Sequence, residues 1–129
     1  MASREAIQSA VAAYFGATRA MDANGFAETF ASNGLTHDPL GTPPQEGRDA
    51  IRQFLQGILA GCERFGLAED HVFIAGNCAA VKWTGQLTAK NGRSLTFEGI
   101  DVLEVNDQGE IQTVRAYWDP APVLAVLQG

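Results

Sequence analysis

The sequence predicts an α+β fold, in which a curved antiparallel sheet is closed by three N-terminal helices into a cone with an internal pocket. Three observations predict it. Apolar residues recur at helical spacing through the first half of the chain and alternate with polar ones through the second. Helices followed by a run of strands place the helices on one face of the sheet. The 129 residues, 46% of them hydrophobic, fit one domain, 1–129, with a sizeable core. No repeat, low-complexity tract or long linker divides it.

Residues 3 to 21 read as the first helix. Ser3 serves as N-cap, Glu5 and Ala6 fall in the first turn, and Ile7, Val11, Tyr14, Phe15 and Thr18 form one broad stripe. Asp22-Ala23-Asn24-Gly25 breaks the pattern. Phe26 to Ala31 is a short second helix, whose Phe26 and Phe30 are spaced to pack inward together. Asn33-Gly34 is a turn signal, and Leu35 to Asp38 is a brief extended piece in which Pro39 keeps Asp38 out of the α region. After the Pro-rich loop 41–47, Gly47 caps a third helix from Arg48 to about Cys62, with Ile51, Phe54, Leu55 and Ile58 on its apolar stripe.

The rest reads as strands. His71 to Ala75 is one, and Ala79 to Ala89 is the clearest, with Val81, Trp83 and Leu87 alternating with Lys82, Thr84, Gln86 and Thr88. Lys90-Asn91-Gly92-Arg93 supplies a hairpin turn to Leu95–Val105. Asn106-Asp107-Gln108-Gly109 turns into the last strand, Ile111–Asp119, which Pro120 and Pro122 end.

A formal net charge of −6 argues against nucleic acid as a partner, because phosphate attraction needs a basic surface. It also argues against docking on an anionic membrane. No stretch approaches the length of a membrane span. The start, Met-Ala-Ser-Arg-Glu, does not read as a secretory leader. Cys62 and Cys78 have no metal-ligand spacing, so they are expected to be reduced thiols of a cytoplasmic protein.

Three residues could carry chemistry. Asp101 shares the face of its strand with Leu95, Phe97, Leu103 and Val105, while Glu98 and Glu104 mark the opposite face as the wet one. A carboxyl on an apolar face loses hydration, which raises its pKa, and in its neutral form it can donate a hydrogen bond. Asp38 precedes Pro39 beside a Gly-Pro loop, where a carboxylate could move a proton on a bound substrate or simply start a turn. Tyr14 lies on the first helix's apolar stripe, where it either packs or points its hydroxyl at a partner.

Together these residues resemble a known family. Ala10-Val11-Ala12-Ala13-Tyr14 with Met21 to Phe26, Thr36-His37-Asp38-Pro39-Leu40-Gly41 with Glu46 to Arg52, and the late-strand Gly99-Ile100-Asp101 are similar to the ketosteroid isomerases. These belong to the nuclear transport factor 2-like, SnoaL-like superfamily, whose fold is cystatin-like. The resemblance covers most of the chain. It implies that Asp38 is a general base shuttling a proton between two carbons of a steroid-like ketone, with Tyr14 and Asp101 as the oxyanion hole. It implies no cofactor and no metal, an apolar steroid-like or polyketide-like substrate, and a homodimer formed through the outer sheet face. Phe54, Trp83, Phe97, Leu103 and Trp118 are the expected substrate-binding wall.

The chain departs from the family in having only Tyr14 and Tyr117 as tyrosines, with Phe30, Phe54 and Leu55 where supporting tyrosines are expected. A second enzyme reading on the same cone, a polyketide cyclase or epoxide hydrolase, would use Asp119, Arg115 or His37 instead. A third is a small-molecule-binding dimeric domain without catalysis. The apolar C-terminal run of Trp118, Val123, Leu124, Val126 and Leu127 exceeds what a monomer would expose, and so hints at a dimer.

Overall fold

The structure, a computed structural model, describes residues 1–129. The elements run α1 (Arg4–Arg19), α2 (Ala23–Glu28), β1 (Phe30–His37), β2 (Gln45–Glu46), α3 (Gly47–Leu59), β3 (Cys62–Ala75), β4 (Cys78–Ala89), β5 (Ser94–Val105), β6 (Ile111–Tyr117) and α4 (Pro120–Gln128). Six strands form one unclosed sheet in the order β2-β1-β6-β5-β4-β3, with α1 to α3 packed against it over the main core. The α+β class holds.

Several boundaries differ from expectation for identifiable reasons. The first helix ends at Arg19, and Asp22 lies in the expected break but has a second role. It caps the next one, accepting from the Gly25 N–H at 2.9 Å. The second helix therefore starts early and ends at Glu28, which leaves Phe30 to open β1. Asn33-Gly34 lies inside β1 at a break in register between Phe30 and Leu35. The third helix ends at Leu59, and Cys62 begins a long β3 whose register shifts between Glu69 and His71. That bulge interrupts the alternation and hides the first half of the strand from a period-two reading.

The sheet is mixed rather than purely antiparallel, because β1 pairs with β6 in parallel. Alternation reports which face a residue occupies but not the direction of its neighbour. The three expected helices become four. Pro120 does not merely end β6; Asp119 accepts from the Ala121 N–H at 3.0 Å and Pro120 takes the first helical position of α4.

Two features position the site. The end of α1 is bolted to β3: the Thr18 hydroxyl accepts from the Leu67 N–H at 3.0 Å, and Arg19 Nη1 donates to the Leu67 carbonyl at 2.8 Å. This fixes the height of Tyr14, one turn earlier on the same stripe. On the inner sheet face Trp83 stands opposite Gly99, and Phe97 opposite Gly85. A Cβ at Gly99 would lie 2.5 Å from Trp83 Cζ2, and one at Gly85 would lie 2.7 Å from the Phe97 ring. Each ring lies across the space its glycine partner leaves open.

Candidate active site

An apolar cavity sits between the helices and the inner sheet face. Its walls come from α1 (Tyr14, Thr18), α2 (Phe26), α3 (Phe54, Leu55, Ile58), the sheet (Phe65, Leu67, Trp83, Phe97, Asp101), and Asp38, Trp118 and Val123. It is narrow, with a cavity volume of about 40 Å³. An adjoining recess shares Asp38, Phe54 and Trp118 and reaches the loop after Pro39 and the face of α4. A broader depression around Arg19, Arg64, Asp70 and Gln86 holds none of the candidate residues.

Asp101 is 1% exposed, on the inner face of β5 as alternation predicts. Each of its oxygens has a donor: Trp83 Nε1 at 2.9 Å from Oδ1 and Tyr14 Oη at 3.0 Å from Oδ2. Burial, helped by the Asp38 charge, pushes its carboxyl up to about 8 against the pull of these two hydrogen bonds. The neutral acid therefore predominates at neutral pH. Tyr14 is fully enclosed, its ring packed on Phe15, Phe26 and Phe30 at centroid distances of 4.9, 4.7 and 6.0 Å. Burial, and then the negative charges of Asp101 and Asp38, raise its hydroxyl well above the ordinary value.

Asp38 follows β1, joined to Pro39 by a cis peptide. As a residue it is half-buried, but its carboxyl is enclosed by protein. Burial pushes the carboxyl up to about 6 against a hydrogen bond from Trp118 Nε1, 2.7 Å from Oδ1. Both tryptophans of the chain thus donate to an acid of this cavity. One acid is neutral and the other mostly ionised near pH 7, which is the division of labour that acid–base chemistry needs.

The structure brings Tyr14, Asp38 and Asp101 onto one cavity, with Phe54, Trp83, Phe97 and Trp118 on its wall. Leu103 is a correction. It shares Asp101's face but lies two residues further along β5, wholly inside the packed core, and does not line the cavity. His37 and the exposed Arg115 do not line it either, and Asp119 is occupied as the α4 cap. Tyr117 is half-exposed on the outer face and supports nothing at Tyr14. The polar roles of the two indoles were missed; a tryptophan opposite a glycine, two positions from a buried aspartate, was the available signal for Trp83. No group of three or more His, Cys, Asp or Glu side chains comes together to hold a metal.

The C-terminal run is also corrected. Val123 is buried, and Val126 and Leu127 pack against the same small cluster as Cys62 and Leu87, leaving Leu124 as the exposed large side chain of α4. The exposed apolar residues of the sheet's outer face are instead Phe73, Ile100 and Tyr117. No helix is long and apolar enough to cross a membrane.

A half-open sheet wrapped by helices around an apolar cavity with two buried acids defines a nuclear transport factor 2-like cone. The chain belongs to the SnoaL-like domain family, whose model matches residues 11–114. It is 26% identical over 119 residues to the steroid Δ-isomerase of Nocardioides simplex, covering 92% of this chain and 94% of that protein. Two solved structures share the fold. One is the epoxide hydrolase/cyclase-like enzyme SalBIII, which acts in pyran ring formation in the polyether salinomycin (TM-score 0.83, 23% identity, 94% and 96% of the two chains). The other is an NTF2-like protein from Burkholderia pseudomallei (TM-score 0.80, 22% identity, 96% and 98%).

Proposed function

We propose that this protein is a cofactor-independent isomerase that moves a proton within a β,γ-unsaturated, steroid-like ketone to give the conjugated isomer. Asp38, ionised near neutrality, takes the proton from the carbon between the carbonyl and the double bond. Negative charge develops on the carbonyl oxygen, where the neutral Asp101 donates a hydrogen bond and the Tyr14 hydroxyl, which donates to Asp101 Oδ2 in the unliganded cavity, turns its one hydrogen to the same oxygen. Asp38 then returns the proton to the far carbon of the dienolate, and the atoms balance without a co-reactant. The observation that carries this reading is the pair of carboxyls pushed to about 6 and about 8 in one apolar cavity. The similarity to the Nocardioides isomerase agrees with it.

The test is turnover of 5-androstene-3,17-dione, followed by the absorbance of the conjugated enone. Wild-type activity that falls roughly 10²–10⁴-fold in Asp38→Asn is expected for loss of a general base. No turnover by folded wild-type protein sinks the assignment. A second reading is favoured by the neutral state of Asp101, which can also protonate an epoxide oxygen while Asp38 activates a hydroxyl. Such a cyclase or hydrolase would use the same two acids and not Asp119, Arg115 or His37. Tight binding of apolar ligands without either reaction would leave a binding domain.

We also propose that the protein works as a homodimer through its outer sheet face, in the cytoplasm. Phe73, 69% exposed, and the cross-strand pair Ile100 and Tyr117, 45% and 48% exposed, support that interface.

A further inference from the structure

We infer that Trp83 is a positioning residue: by donating its indole N–H to Oδ1 of Asp101, it assigns the acid proton to Oδ2, the oxygen on the Tyr14 side. The inference rests on the reading above in one respect, that Asp101 acts as a neutral donor.

An indole N–H can only donate. A neutral carboxyl has one carbonyl oxygen and one hydroxyl oxygen, and the carbonyl oxygen is the better acceptor. Trp83 Nε1 lies 2.9 Å from Oδ1, so Oδ1 is the carbonyl and the hydrogen resides on Oδ2. Oδ2 in turn accepts from the Tyr14 hydroxyl at 3.0 Å. With the lone pair facing Tyr14 occupied, the Oδ2 hydrogen is free to point at a ligand oxygen in the cavity that both residues line. Without the indole the carboxyl could carry its proton on either oxygen. In one of those two forms it presents a bare acceptor where the substrate's developing charge needs a donor.

The fold holds the indole in place for this task. Trp83 is 1% exposed and stands directly opposite Gly99, where any Cβ would overlap the ring. Phe97 closes its other side edge-on, with centroids 5.5 Å apart and planes at 83°. The ring fills the core, and its nitrogen finds a side-chain carboxyl rather than a backbone carbonyl. The groups that face Asp101 are Tyr14 from α1, Trp83 from β4 and Asp38 from the end of β1, and its flanking partners Val81 and Ala116 are apolar. No cation competes to fix its orientation.

The decisive measurement is the infrared carbonyl stretch of neutral Asp101, isolated by subtracting the Asp101→Asn spectrum at a pH well below its value of about 8. It compares wild type, Trp83→Phe, and protein carrying 3-benzothienylalanine at position 83, which replaces the N–H by sulphur at the same ring size. If Oδ1 is the carbonyl, losing the indole moves the stretch to higher wavenumber in every folded variant. A stretch that stays put means that the carbonyl is Oδ2, and this overturns the assignment. Absence of any neutral Asp101 band in wild type overturns it as well. None of this requires turnover, so failure of the isomerase reading is seen separately. Where turnover exists, kcat is expected to fall roughly tenfold with KM little changed, the scale of one net hydrogen bond. An unchanged kcat would also count against the role.

Discussion

Replacing Asp101 by asparagine is expected to stabilise the protein increasingly as pH rises. The amide fits the same sockets: its oxygen accepts from Trp83, and its NH₂ donates to the Tyr14 hydroxyl, so neither buried partner is stranded. In wild type the folded carboxyl binds its proton more tightly than the unfolded one, with values of about 8 and 3.8. The folded state therefore holds more protons between those values, and stability falls with pH across that window. Stability linked to this group is fully present below about pH 4 and is lost as pH rises through about 8. At about 1.4 kcal/mol per pH unit the ceiling is roughly 5–6 kcal/mol, and relaxation around the buried charge reduces the observable to a few kcal/mol. Urea unfolding of both proteins across this range checks it. Asp38, raised to about 6, imposes its own loss in both proteins, so the difference between the curves reports Asp101 together with its charge coupling to Asp38. Parallel curves would show that Asp101 titrates alike folded and unfolded, and the neutral-donor argument would fall with that result.

The same linkage shapes activity. With Asp38 needed ionised and Asp101 needed neutral, kcat/KM is expected to follow a bell whose limbs lie near 6 and near 8. Trp118→Phe removes the hydrogen bond that lowers Asp38, so the acidic limb moves to higher pH; a limb that stays fixed assigns it to another group. Phe73→Asp places a charge in the proposed interface and is expected to convert dimer to monomer in sedimentation equilibrium, whereas an unaltered mass removes that face from the interface.

How much of this was legible in the sequence depends on which signals are local. Period-two alternation placed Asp101 on the buried face and Glu98 and Glu104 opposite, because a strand's pleat is set residue by residue. The stripe of α1 placed Tyr14 inward in the same way. What escaped were relations between distant segments. Tyr14 and Asp101 are 87 positions apart, and Trp118 and Asp38 are 80 apart, so their hydrogen bonds follow from strand order, which no periodicity encodes. The roles expected of Asp38, Tyr14 and Asp101 came from family resemblance; their meeting in one cavity is a product of the fold. Asp119-Pro120 carried a readable cap and first-turn signal, but proline's reputation as a strand terminator masked it. Leu103 was misplaced because alternation gives the face of a residue and not its depth along the cone.

The parallel seam between β1 and β6 has a consequence for how the chain assembles. β1 is formed by residues 30–37, yet its long-strand neighbour begins only at Ile111. Until then its only sheet partner is the two-residue β2. Closing a loop of that length is entropically costly and comes late. During synthesis the antiparallel β3-β4-β5 run can pair as it emerges, while β1 and the Asp38 that follows it must wait. The pocket is completed by the last seam to zip, and a chain stopped before β6 exposes an unpaired edge on β5 as well as on β1.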